Sequence, residues 1–178
     1  IVAVGEQEAV ALAQMGLRLI KKAFEQYADL AATFAVLDTK FLGLTQGGNL
    51  ELYDGTLRLM SPAGSILEEF EPRSYLDYLA EHVESWSYLK FPYYKKEGYP
   101  EGVYRVGPLA RVNIATEITT PLAAAELAEF KQLNGGKPVQ GTLYYHWARI
   151  LEALYAAERA QQLIADDAVV SEEVRVPV

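Results

Sequence analysis

The first 37 residues carry apolar side chains at helical spacing, with charged residues between them. A period near 3.6 residues predicts an amphipathic helix that buries one face on a neighbouring element. We therefore predict a helix over residues 1–37 with its apolar positions facing the core. Those positions are Leu12, Met15, Leu19, Phe24, Tyr27 and Leu30.

Between residues 38 and 70 the pattern changes to short apolar runs separated by turn residues. The runs are residues 41–44, 50–53 and 56–59, and the turns lie at 47–49, 54–55 and 62–64. Asp54-Gly55 is a strong signal for a two-residue hairpin, because both positions tolerate positive φ. The segment predicts a small antiparallel β meander, which needs another surface to be stable.

Helical spacing returns in two later regions, which together predict three helices. Residues 71–84 predict a helix that starts at Pro72 and buries Tyr75, Leu76, Leu79 and Val83. Residues 121–167 predict two helices, the first of which ends at the Asn134-Gly135-Gly136 stop. Residues 174–178 are strand-like. The fold class is therefore α+β, a mostly helical body with a small antiparallel meander, as one domain or as a fragment of a larger chain.

Residues 85–120 show no regular period and are rich in aromatic residues and proline. Long irregular segments inside compact domains are uncommon and are often functional or interfacial. We predict an irregular segment here, and two interpretations stay open. It is either a loop packed on the core or a segment at a subunit interface or beside an active site.

Composition excludes several kinds of protein. The chain has 16 Lys and Arg against 24 Asp and Glu, for a formal net charge of -8 at pH 7. Nucleic-acid binding needs clustered cations, so no nucleic-acid partner is expected. No apolar stretch reaches the roughly 20 residues of a membrane span. We therefore expect a soluble, cytoplasmic protein without a membrane partner.

Candidate chemistry is sparse. The chain has no cysteine, and its two histidines, His82 and His146, do not suffice for a metal cage. We therefore predict no catalytic, cofactor-binding or metal-ligating residue. The most distinctive polar residues, His146 and Arg149, are three positions apart and share one helix face. They either relay protons or anchor a loop in a shielded pocket, or they pack and bond to backbone carbonyls.

Several runs of residues resemble the large subunit of nickel–iron hydrogenases. Residues 106–111, VGPLAR, are similar to a motif found across these large subunits. Residues 86–95, WSYLKFPYYK, look specific to the cytoplasmic, bidirectional, NAD-reducing group. Residues 41–44, 50–55, 125–130 and 145–149 continue the likeness in order. The chain thus resembles the middle segment of the catalytic (large) subunit of that family.

The resemblance implies reversible H2 oxidation coupled to NAD(P) reduction. It implies a nickel–iron centre in the full-length parent, whose cysteine motifs this chain lacks, so the segment alone is not expected to be active. It also implies two kinds of partner, the hydrogenase small subunit and the diaphorase subunits. These partner subunits hold the iron–sulfur clusters and NAD. For Arg111, His146 and Arg149 it implies buried polar residues that order the surroundings of the centre.

Three interpretations of the chain as a whole stay open at this point. The chain is either a middle piece of a longer catalytic subunit or a catalytically inert structural or assembly module with a hydrogenase-like fold. The abrupt ends of the sequence favour the first. An unrelated helical binding domain that matches by chance is a further alternative.

Overall fold

The structure is a computed structural model that describes residues 2–171. Its strands form a five-stranded sheet and a separate two-stranded hairpin. The helices are α1 Val2–Gln26, α2 Ala28–Thr33, α3 Tyr75–Tyr78, α4 Pro108–Ile114, α5 Pro121–Gln132 and α6 Tyr144–Ile164, with 3-10 turns at Pro72–Ser74 and Asp167–Val170. The strands are β1 Lys40–Gln46, β2 Asn49–Leu50, β3 Thr56–Met60, β4 Ile66–Phe70, β5 Leu79–Val83, β6 Lys90–Tyr94 and β7 Tyr104–Arg105.

Strand β1 lies at the centre of the larger sheet. The antiparallel order is β2-β1-β3-β4, and β7 pairs with β1 in parallel. Because successive side chains point to opposite faces, Phe41 enters the core shared with the helices, whereas Leu42 enters a second core with Leu79 of β5. The sheet thus lies between a helical layer and the β5–β6 hairpin.

Helix α4 sits close to β1 because Gly43 has no side chain. A Cβ atom at Gly43 would lie 2.8 Å from Cδ1 of Ile114. Helix α6 packs on α4, and α1 and α5 pack on α6. The fully buried side chains Leu109, Leu151 and Phe130 join these helices in one hydrophobic core. Helix α6 is therefore the central element of the helical layer.

The α+β class and the small antiparallel sheet predicted from the sequence are confirmed. The two closing helices also form, as α5 and α6, and the positive φ angles of Gly135 and Gly136 follow the end of α5. The strand predicted at residues 174–178 lies outside the described residues.

The single helix predicted over residues 1–37 is wrong in its length and in most of its buried face, of which Phe24 alone packs against the core. Helix α1 ends at Gln26, and the short α2 follows after Tyr27, whose φ and ψ of -118° and 37° are not helical. Among the α1 side chains that the structure describes, Leu17 is buried, while Leu12 and Leu19 are 61% and 60% exposed. The helix carries two apolar stripes, and their common period does not reveal which one meets the core.

The helix predicted over residues 71–84 is also wrong. It stops after one turn, and residues 79–83 form β5, which pairs with β6 within the segment predicted to be irregular. That segment further contains β7 and α4, which begins at Pro108. Pairing with β6 therefore stabilises a strand at residues 79–83, although the local sequence has a short helical period.

The hairpin predicted at Asp54-Gly55 does not join β2 to β3. Strand β3 pairs with β1 instead, and the tight turn at Gly47-Gly48 connects β1 to β2. Strand β2 is only two residues long, and its Leu50 donates its backbone N–H to the carbonyl of Glu117 over 2.9 Å. The other edge of β2 is therefore taken by the segment that follows α4.

Candidate functional site

A cationic cluster forms around Tyr145 where β7, α4 and α6 meet. Its phenol donates to the carbonyl of Val106 over 2.9 Å. Burial raises the pKa of Tyr145, and the charges of Arg105, Arg111 and Arg149 act against that rise. Gly107, with φ of 84°, turns the chain from β7 into α4 and so brings Arg105 and Arg111 to the same region.

Arg111 forms a two-pronged ion pair with Glu152 of α6. Its Nε and Nη2 atoms donate to the two carboxylate oxygens over 2.6 and 2.7 Å. The Glu152 side chain is 10% exposed and that of Arg111 27% exposed. The hydrogen bond to Glu152 raises the pKa of Arg111, so the guanidinium remains charged. The pair joins α4 to α6 with little rotational freedom.

Arg105 binds the segment that precedes β1. Its Nε donates to the hydroxyl of Thr39 over 2.7 Å, and its Nη2 donates to the carbonyl of Leu37 over 2.6 Å and to the side-chain oxygen of Gln140. The guanidinium also lies over the ring of Phe41, 5.0 Å from its centroid. Burial lowers its pKa, and its buried Nη1 has no partner in the part of the chain that the structure describes.

The structure separates the residues that the sequence singled out. Arg111 is half-buried, whereas His146 and Arg149 are exposed, which differs from the predicted burial of these two. His146 lines an apolar groove with Phe24 and Leu30, between the first two helices and α6. Arg111 and Arg149 therefore share the surroundings of Tyr145, and His146 belongs to another surface. Their roles beside a metal centre stay predictions.

Sequence reasoning missed Arg105 and Glu152, whereas Tyr145 lies in the run of residues 145–149 that the sequence had singled out. A signal existed for Glu152, because it falls on the buried face of α6 beside Leu151 and Tyr155. A carboxylate among core residues indicates a buried cationic partner. Arg105 gave no such signal, since its partners lie far away along the chain.

This cluster offers guanidinium and phenol donors, which orient backbone and carboxylate groups. The residues present do not fit a nickel–iron centre, because the chain has no cysteine. Within residues 2–171 there is also no group of three His, Asp or Glu side chains that would hold a metal ion. In the same range no helix is both long enough and apolar enough to cross a membrane.

Comparison with known proteins shows strong similarity to components of hydrogenases. No protein-family model matches the chain. It is 47% identical over 165 residues to a component of the F420-non-reducing hydrogenase vhu of Methanococcus voltae, covering 93% of this chain and 39% of that protein. It is 38% identical over 162 residues to the beta subunit of the NAD-reducing hydrogenase HoxS of Cupriavidus necator, covering 89% of this chain and 33% of that protein.

The fold is also similar to that of a solved protein. A chain in the crystal structure of an NAD+-reducing [NiFe]-hydrogenase in the H2-reduced state superposes with a TM-score of 0.90 and 37% identity. The match covers 97% of this chain and 39% of that one. The chain thus spans about two-fifths of the length of this solved chain and of the Methanococcus protein.

These relatives correct the resemblance drawn from the sequence. The predicted family, the catalytic large subunit of the bidirectional NAD-linked group, is wrong: identity is higher to an F420-non-reducing hydrogenase than to the NAD-reducing protein. Neither relative's name designates a large or catalytic subunit. The predicted function of this segment, H2 oxidation coupled to NAD(P) reduction, is withdrawn with it. The inert-module alternative gains no support either. Runs of six to ten residues did not discriminate between hydrogenase groups.

Proposed function

We propose that this chain is a structural segment of a hydrogenase subunit like that of the vhu enzyme, within an oxidoreductase complex of several subunits. The observation that carries the proposal is the superposition over 97% of the chain at 37% identity. The 47% identity to the vhu protein supports it from the sequence side. The segment contributes packing and ion pairs between helices, such as that of Arg111 with Glu152.

The exposed apolar surface of α1 supports a place within a larger assembly. Leu12, Met15 and Leu19 stand at helical spacing and are 61%, 47% and 60% exposed. Contiguous apolar surface of this kind usually marks a contact. Since the relatives are longer than this chain, we propose that the remainder of a longer polypeptide covers this stripe.

The metal centres, partners and location of the complex belong to the same proposal. The solved relative is named a [NiFe]-hydrogenase, and we propose a nickel–iron centre held outside this segment. We propose other hydrogenase subunits as partners and the cytoplasm as the location.

The test is an H2-oxidation assay on the full-length protein, purified with its native partners. We expect H2-dependent reduction of methyl viologen, with NAD+ and F420 offered in parallel as physiological acceptors. Metal analysis of the same sample should find nickel and iron. Absence of H2-dependent dye reduction and of nickel from the intact complex would exclude the proposal.

A further inference from the structure

A cavity of about 350 Å³ opens between β3, the end of α4 and the turn after α5. Arg58, Lys131 and Lys137 line its wall, and no carboxylate of the described residues does. Met60, Ile66 and Ile114 supply apolar surface to the same cavity. A chain with a net charge of -8 therefore gathers three cations at one concave site.

Arg58 enters the cavity from β3, with its side chain 12% exposed. Its Nε donates to Glu69 over 2.6 Å, and its Nη1 donates to the carbonyl of Ile114 over 3.1 Å. Its Nη2 has no hydrogen-bond partner among residues 2–171. Glu69 offsets one positive charge, so the cavity retains an excess of two.

Lys131 approaches from α5 and donates to the carbonyl of Asn113 over 2.8 Å. Burial and the nearby charge of Arg58 lower its pKa to about 8. Glu117 borders the neighbouring groove on the other side of Lys131. Lys137 is exposed, and its ammonium group makes no hydrogen bond or ion pair with any other described residue.

Capping of α4 explains part of this arrangement. Arg58 and Lys131 each donate one N–H to a carbonyl at the carboxyl end of that helix, as cations there commonly do. Capping does not require Lys137, and all three cationic residues line a cavity with room for a ligand.

We propose that this cavity binds an oxyanion from outside the polypeptide, a phosphate or carboxylate group. Lysine and arginine donors form short, charge-assisted hydrogen bonds to both. The apolar wall formed by Met60 and Ile66 suits the carbon skeleton that bears such a group. The group belongs either to a small organic anion or to an acidic side chain of a partner protein. The cavity and its cations are independent of the hydrogenase assignment, and only the distinction between the two sources rests on the complex of the proposed function.

Inorganic phosphate is the probe, titrated calorimetrically into the isolated full-length protein and into its assembled complex at constant ionic strength. We expect saturable binding to the isolated protein that weakens about tenfold in both Lys131→Met and Lys137→Met, because each loses a charge-assisted donor. Lys137 is exposed, so that variant keeps its fold. Lys22→Met, which removes an exposed charge from α1, is the matched control and should bind phosphate like the unmodified protein.

Binding to both preparations identifies a free small anion as the ligand. Binding to the isolated protein that disappears in the complex identifies a partner carboxylate in the same place. The proposal is overturned if neither preparation binds phosphate saturably, or if Lys22→Met weakens binding as much as Lys137→Met does.

Discussion

Glu158 of α6 accepts a hydrogen bond from the hydroxyl of Thr120 over 2.6 Å, at the amino terminus of α5. The same carboxylate accepts the backbone N–H groups of Leu122 and Ala123 over 2.9 and 2.8 Å. Glu158 is 5% exposed. Helix α5 is therefore capped by a residue of another helix, which places a negative charge at its positive end.

Replacing Glu158 with glutamine should destabilise α5. The amide keeps the shape of the carboxylate but loses its charge, and its NH2 group faces the N–H and O–H donors of the helix end. We expect the free energy of unfolding to fall by about 2 kcal/mol. Amide hydrogen exchange at Leu122 and Ala123 in the full-length protein should accelerate. Glu25→Gln, at an exposed position of α1, is the control and should leave these amides unchanged. Unaltered exchange in the Glu158 variant would show that the cap contributes nothing.

Replacing Arg111 alone should lower the free energy of unfolding more than replacing both members of its ion pair. Arg111→Met leaves Glu152 buried without its partner, a loss of about 3 kcal/mol. The double variant Arg111→Met with Glu152→Met has no buried charge and should lose less. Urea unfolding of the single and double variants measures the coupling. A double variant that is the least stable of the set would contradict the expectation.

The stability of the protein should depend on Lys131 in mildly alkaline solution. Its folded pKa, about 8, lies below the ordinary value of 10.5. Between these values the unfolded chain binds more protons, so the free energy of unfolding rises with pH over this window. The rise should be smaller in Lys131→Met than in the unmodified protein, as followed by urea unfolding. Equal slopes would mean that the lysine titrates normally.

Gly55 should tolerate no side chain. Its φ is 120°, and a Cβ atom would lie 2.4 Å from the carbonyl oxygen of Thr45 in the backbone of β1. We expect Gly55→Ala to lower the free energy of unfolding by about 3 kcal/mol. Gly47→Ala is the control, because Gly47 also has a positive φ but no atom within 4 Å, and should cost about 1 kcal/mol. Thermal unfolding compares the two, and similar losses would contradict the role of the close approach.

The exposed stripe on α1 should be sensitive to charge in the full-length protein. Leu19→Glu places a carboxylate on this stripe, and we expect a clearly lower unfolding temperature if another part of the protein covers it. Arg18→Glu alters the adjacent exposed residue of the same helix and should have little effect. Equal, small effects of both substitutions would mean that the stripe faces solvent.

The sequence predicted those elements whose signals are local. The end of α5 at Gln132, shortly before Gly135-Gly136, and the long run of α6 follow from cap chemistry and from a sustained helical period. Strand β5 did not, because its identity depends on pairing with β6. The buried face of α1 also depends on a distant surface, that of α6, which no pattern within α1 specifies.

The candidate site was harder to predict for a similar reason. Arg111 was named from a resemblance, but its partner Glu152 lies on another helix and is identified only by the packing of α4 on α6. Arg105 donates hydrogen bonds to Leu37 and Thr39, which precede the first strand of the sheet and lie far from Arg105 in the sequence. Polar networks between distant residues leave no periodic trace in a sequence.

The position of α6 in the chain has a consequence for synthesis. Glu152 and Glu158, which satisfy donors on α4 and α5, lie later in the sequence than the helices they serve. A nascent chain emerging from the ribosome with α5 complete still has the buried end of that helix uncapped. Complete capping and packing of the helical layer therefore require α6 to have been synthesised.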